Sequence, residues 1–379
     1  MNRGAGSAAA KQDRIGSVQM AVLFLFFMTG SSIVIIPAPL TNVAGNGAWL
    51  SLLIAWAAGA LLLACVLYLN RRYPGRSLFE YGREALGNAG AALLLAPFLC
   101  VMFWHVAGIV IEIGLFFKST MLKETPTYAV NSVLLVTIAL TVRAGLEVMA
   151  RMASVFLGLM FGAIVLVLAL VGPLYHPEYL MPVMPDGIGP ILNAAYIAYG
   201  FPYAELAVFA FILADVKERD SAKIGKRLYL ALAVNGLTLL VSVACSIMVL
   251  GPLSGDLKYS LYQLARLIFI REIVERIESV IGFSLIVGFY FKTSILLHIL
   301  VRALGLAFRL PNERILVFPV ALLCLLLSLT TYTEEAKMEE IVSIVWPLLD
   351  NLVYVAPLLL IAAVTALRGR AGRSRGRDV

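Results

Sequence analysis

The sequence predicts an all-α polytopic membrane protein: ten transmembrane helices in a 5+5 inverted repeat, with helices 1 and 6 broken. Three observations predict it. Of the 379 residues, 61% are apolar and 14% charged, against about 25% charged in an ordinary soluble domain. The apolar residues gather into blocks of about 20 or more, long enough to cross a ~30 Å hydrocarbon layer as helices. Two of those blocks, the first and the sixth, carry helix-weakening residues in mid-span. A transmembrane barrel does not fit, because its strands would be ~10 residues long and alternate apolar with polar.

The spans fall at about 17–43, 47–70, 90–118, 126–143, 151–174, 188–214, 224–251, 272–302, 314–332 and 341–367. Residues 1–16 form a cytoplasmic N-terminal tail, 17–367 the ten-helix domain (repeat one 17–174, repeat two 188–367) and 368–379 a basic cytoplasmic tail. Orientation follows from the distribution of Lys and Arg. Alternate connections are basic, with Arg71, Arg72, Arg76 and Arg83 in one and Lys217, Arg219, Lys223, Lys226 and Arg227 in another. Both termini belong to that basic set, which places them in the cytoplasm. The opposite connections are proline-rich, as in "YHPEYLMPVMPDGIGP" (Tyr175–Pro190), or acidic, as in "TYTEEAKMEE" (Thr331–Glu340). The segment from Gly251 to Arg271 contains "SLYQLARLIF", amphipathic enough to lie along the interface. No cleavable signal peptide is expected. Cys65, Cys100, Cys245 and Cys324 all lie in apolar runs and read as buried free thiols.

The first block reads "MTGSSIVIIPAPL" (Met28–Leu40), with one glycine, two serines and two prolines where a helix should be continuous. Interrupting a helix in hydrocarbon is costly unless the freed backbone groups line a cavity or a site. Secondary transporters place such breaks at matching positions of two inverted repeats. The matching segment is "AAYIAYGFPYAELAVFAF" (Ala194–Phe211), with Gly200, Phe201 and Pro202 in mid-span and Glu205 one turn on. Close packing of small residues is the competing reading for Gly30, Ser31 and Ser32.

The chain resembles the B-subunit family of spore germinant receptors, the GerAB-type spore permeases of the amino acid–polyamine–organocation superfamily. The residues that carry the resemblance are "TGSSIVIIP" (Thr29–Pro37), "YPGRSLFEYGREALG" (Tyr73–Gly87), "KETP" (Lys123–Pro126), "RAGLEVMAR" (Arg143–Arg151), "LMPVMPDGIGPIL" (Leu180–Leu192), "GFPYAEL" (Gly200–Leu206) and "IVERIES" (Ile273–Ser279). It implies a LeuT/amino-acid-permease-like fold in the inner membrane of the spore. It also implies A and C subunits as partners, and a small nutrient, typically an amino acid, as ligand.

In such a fold the interrupted spans offer backbone groups to a ligand near the midplane, where helix N-termini suit a carboxylate and free carbonyls an ammonium. The candidates are Gly30, Ser31, Ser32 and Ile33 on span 1, and Gly200, Phe201, Tyr203 and Ala204 on span 6. Glycine lets ligand atoms approach the backbone, so Gly30→Ala is expected to weaken the response in a folded protein. Ionisable groups deep in a span are functional candidates by default. Glu205 is placed to accept a ligand ammonium or a proton. Lys292, in "IVGFYFKTSILL" on span 8, is placed beside the first break as a fixed positive charge or a partner for a ligand carboxylate, with snorkelling as the alternative. On span 3, Val101 and His105 share a face with Ile109; a packing role competes for His105. Gly288 shares a face with Lys292. Glu112 suits a structural ion pair as well as a role. "REIVERIES" (Arg271–Ser279) reads as a salt-bridged helix start.

Enzyme readings fail. The three histidines (His105, His176, His298) are dispersed, no Cys/His/Asp group has metal spacing, and no phosphate loop follows a strand. Neither cofactor, metal nor nucleic acid is expected. The functions left are a nutrient-sensing receptor subunit, a proton-coupled amino acid transporter and an ion-conducting subunit.

Overall fold

A backbone crossing hydrocarbon must satisfy its own N–H and C=O groups, so apolar blocks of this length become helices. The computed structural model describes residues 14–184, 186–268, 277–331 and 340–375. Ten helical segments among them are long and apolar enough to span a membrane. Pairing between extended segments is limited there to one isolated bridge, Ile15 with Val216. Residues such as Leu61 (74% exposed) and Val155 (77%) cover the outer face, and so much exposed apolar surface fits lipid rather than water.

The first crossing is made of α1 (Ser17–Thr29), α2 (Ser32–Ile35) and α3 (Pro37–Ala44). After a turn at Gly45–Gly47 come α4 (Ala48–Arg72), α5 (Leu78–Thr120), α6 (Thr127–Ala144) and α7 (Leu146–Leu170). The sixth crossing is α8 (Ile188–Ala198), an irregular turn at Tyr199–Tyr203 and a 3₁₀ stretch at Ala204–Phe211. Then follow α9 (Ser221–Leu250), α10 (Ser260–Arg266), α11 (Ile277–Phe308) and α12 (Val317–Thr331). The last crossing holds α13 (Trp346–Asp350) between two π-helical turns, Ile341–Val345 and Asn351–Val355, and ends in α14 (Ala356–Arg375).

Five local expectations change. The first internal connection is partly helical. A capping box opens α5, with Glu80 accepting from the Ser77 backbone N–H at 2.7 Å, and Gly87 (φ 77°) then turns the chain into the third crossing. Gly145 alone (φ 106°) separates α6 from α7, so the fifth crossing begins at Leu146 rather than 151. The Ser260–Arg266 helix is not laid on the interface: Leu261, Tyr262, Leu264 and Ala265 are buried, and it packs against α11 and α9. Cys245 and Cys324 are buried, but Cys100 is exposed on the outer face. At the C-terminus α14 continues to Arg375, through most of the stretch assigned to the basic tail. The basic cluster Arg271–Ser279 lies largely outside the described residues.

Polar contacts tie the connections together at the two ends of the bundle. At one end Arg14 pairs with Glu218 (3.0 Å), and the Ile15 N–H donates to the Asp215 carbonyl (3.0 Å). There Arg302 meets Asp215, Arg227 meets Ser17, and Arg368 donates to the Glu84 carbonyl (3.1 Å). At the other end Asn46 donates to the Met181 carbonyl (3.1 Å), and the His176 N–H to the Met248 carbonyl (2.9 Å).

Candidate functional site

Spans 1 and 6 lie side by side. Phe24 and Phe27 pack edge-on against Phe209, with ring centroids 5.0 and 5.1 Å apart. The two interruptions differ in kind. At the first, Gly30 (φ −53°, ψ −49°) and Ser31 (φ −98°, ψ −31°) keep helical dihedrals, and the Ser32 hydroxyl donates to the Met28 carbonyl at 2.5 Å. At the second, Phe201 (φ −136°, ψ 114°) leaves the helical region altogether, followed by a cis peptide to Pro202.

Each glycine meets a neighbouring span. A Cβ on Gly288 would come within 2.7 Å of the Gly30 carbonyl oxygen, and one on Gly30 would collide with the Gly288 carbonyl. A Cβ on Gly200 would collide with Pro347. The missing side chain of Gly30 therefore admits the backbone of span 8, and Gly30→Ala would disturb the fold itself, contrary to the expectation above.

Beside these contacts lies a buried polar cluster drawn from four spans. Lys292, one turn beyond Gly288 on α11, holds Glu205 at 2.5 Å, with both side chains sealed from solvent. Its ammonium also sits 4.0 Å from the centre of the Phe201 ring and 5.1 Å from that of Phe27, where the π faces attract a cation. Lys292 does not snorkel. On α5, His105 stacks on Trp346 with centroids 4.7 Å apart. Its Nδ1 is 3.3 Å from the Tyr354 hydroxyl, and its Nε2 is 3.0 Å from Asp350 Oδ1. Polar atoms of His105, Glu205 and Asp350 all lie within 4.8 Å of one another. Charges buried this deeply persist only when paired.

Asp350, Trp346 and Tyr354 escaped the sequence reading. The signal was present: Asp350 is a carboxylate in the middle of "IVSIVWPLLDNLVYV" (Ile341–Val355), the same pattern that singles out Glu205. Spacing of four residues puts Trp346, Asp350 and Tyr354 on one face, and π-helical turns flank them, a feature frequent at functional sites. One imidazole with two carboxylates is also a donor set known for metals, although no two of the three are near in sequence. The Lys292 ammonium beside Glu205 puts a full positive charge there, which opposes a divalent ion.

A family model described as spore germination protein, of the spore permease type, matches residues 14–336. The chain belongs to that family. It is 29% identical over 372 residues to spore germination protein KB of Bacillus subtilis (strain 168), covering 96% of this chain and 98% of that one. It is 22% identical to spore germination protein XB of Bacillus anthracis, covering 80% and 84%. Among solved structures it superposes on MhsT in complex with L-phenylalanine with a TM-score of 0.68 at 11% identity, covering 94% of this chain and 90% of that one. A Na+-coupled sialic acid symporter gives 0.62 at 12% identity, covering 93% and 81%. Likeness at that identity establishes the fold, an inverted-repeat transporter bundle, and the chain is a germination-family membrane protein built on it.

The remaining candidates sort by position. Ile33, Val101 and Ala204 are buried. The Ser31 hydroxyl is buried without a hydrogen-bond partner among the described residues. Tyr203 faces away from the charged cluster: its ring lies against α4, where a Cβ on Gly59 would come within 2.7 Å of it. Glu112 is buried on α5, and its Oε2 has no hydrogen-bond partner among the described residues.

Proposed function

We propose that this chain is the B-subunit of a spore germinant receptor, which holds a small nutrient, an amino acid, between spans 1, 3, 6, 8 and 10. Binding would shift the population between two packings of the bundle, and A and C subunits would report the shift; a ligand can do this only through unequal affinity for the two states. The observation that carries the reading is the Lys292–Glu205 and His105–Asp350 cluster, buried beside two interrupted helices. Around it the proposed pocket takes Gly30, Ser31, Ser32, Ile33 and Gly288 from the first break and its neighbour. Val101 and His105 come from span 3, and Gly200, Phe201 and Ala204 from the second break, while Tyr203 is turned to span 2. The spore's inner membrane, with both termini in the cytoplasm, is the location that fits the basic connections.

The test is germination of spores lacking the chain and then supplied with it. Complementation that restores the response to amino acids, and fails with Lys292→Ala, supports the receptor. A second reading, proton-coupled amino acid uptake, is favoured by the carboxylate pair beside an imidazole, a constellation suited to carrying a proton. Uptake of labelled amino acid into vesicles holding this chain alone would select it, and conductance without uptake would select an ion-conducting subunit.

A further inference from the structure

We infer that the basic end of the bundle holds an anionic glycerophospholipid, its phosphate between Arg72, Arg76 and Arg368 and an acyl chain in the apolar groove between α5 and α14. The site shares no residue with the central cluster and does not depend on the nutrient reading.

Two cavities meet along one helix. The polar one, of about 310 Å³, is lined by Arg72 at the end of α4, Tyr73 and Arg76 in the connection, Glu84 on α5, and Thr365 and Arg368 on α14. The other is a narrow apolar groove, where Phe79, Gly82 and Leu95 of α5 face Pro357 and Ile361 of α14. Glu84 stands just beyond Gly82 on α5, and Thr365 and Arg368 follow Ile361 on α14. A helix rises about 1.5 Å per residue, so Arg368 lies roughly 10 Å along the axis from Ile361. A headgroup in one cavity can therefore send a chain into the other.

The polar cavity is short of anions. Arg76 pairs with Glu84, and Arg368 gives one N–H to the Glu84 backbone carbonyl at 3.1 Å. Arg72 is exposed and has no acidic partner among the described residues. Three guanidiniums, with five N–H donors apiece, thus face a single carboxylate. The hydroxyls have no proton to spare. Thr365 donates to the Ile361 carbonyl at 2.7 Å, so Tyr73, 3.1 Å from the Thr365 oxygen, donates to that oxygen. The donors left over belong to arginine, whose planar fork fits a phosphate. A water-soluble phosphate ester would fill the polar cavity and gain nothing from the groove. A zwitterionic lipid would bring its own cation against the arginines. An anionic lipid satisfies both cavities, and basic pockets between membrane helices suit such headgroups.

The test is native mass spectrometry on the full chain in detergent, titrated with dioleoyl phosphatidylglycerol, dioleoyl phosphatidylcholine and glycerol phosphate. Phosphatidylglycerol should bind about tenfold more tightly than phosphatidylcholine and about a hundredfold more tightly than glycerol phosphate. Arg72→Gln combined with Arg368→Gln should weaken phosphatidylglycerol about tenfold to a hundredfold and leave phosphatidylcholine within about twofold. Gly82→Leu, which puts a side chain into the groove, should weaken both lipids about threefold to tenfold. Equal binding of the two lipids to the wild type overturns the inference, and so does unchanged lipid binding by either variant. Glycerol phosphate that binds as tightly as the lipid overturns it too and makes a soluble phosphate ester the ligand. The wild-type comparisons hold even where a variant does not fold.

Discussion

The break in span 1 and the break in span 6 occupy matching places in the two repeats, yet they do different physical work. The first keeps helical dihedrals, carries only small and hydroxyl side chains, and is pressed against the backbone of span 8 at Gly288. The second leaves the helical region at Phe201 and delivers a carboxylate, Glu205, to the buried ammonium of span 8. One span thus meets both breaks, with a glycine for the first and a lysine one turn on for the second. The comparison teaches that similar helix-weakening residues can serve close packing in one repeat and charge placement in the other.

The difference is open to attack by mutation. The largest effect is expected on the charged side. Lys292→Met leaves Glu205 buried without its partner and should cost about 3–5 kcal/mol of stability, read as a lowered melting temperature in nanodiscs. Adding Glu205→Leu should recover most of that loss, because a hydrophobic pair replaces a buried ion pair at little cost. If the double variant is no more stable than the single one, the pair is not the unit described here.

On the packing side, Gly30→Ala and Gly288→Ala should each cost about 1–3 kcal/mol through overpacking against backbone. Because the two glycines share one contact, the double variant should depart from additivity; additive losses would show that the glycines do not act through each other. Smaller still is Ser31→Ala. Its hydroxyl is buried and unpartnered, so its removal should not lower stability, because a buried polar group without a partner is itself a cost. A fall in ligand affinity without a fall in melting temperature would then support the place of Ser31 in the proposed pocket. Tyr203→Phe should be the mildest. Its ring packs on span 2, and its hydroxyl has no partner among the described residues; ligand affinity should stay within about twofold, and a larger loss would move Tyr203 into the pocket.

Much of the bundle was legible because hydrocarbon imposes simple demands. The apolar blocks, their number and the grouping of basic connections are read from composition along the chain. So are the two breaks and the family, through motifs such as "GFPYAEL" (Gly200–Leu206). Glu205 and Lys292 were legible one at a time, as charges in apolar runs. Their pairing was not, since 87 residues separate them, and neither was the juxtaposition of His105 with Asp350. Helix bounds shifted at Leu146 and Arg375 because apolarity marks hydrocarbon depth, whereas helices continue until a residue such as Gly145 turns the chain.

By itself the amino-acid sequence determined that this protein crosses a membrane ten times and interrupts two matching helices, because burial of apolar surface and satisfaction of backbone groups are local requirements. Which groups share the buried centre was decided by the tertiary structure alone. A side chain's electrostatic partners are set by which helix faces pack together, and Trp346 and Asp350 reach Glu205, Lys292 and His105 only after the four spans that carry them have assembled.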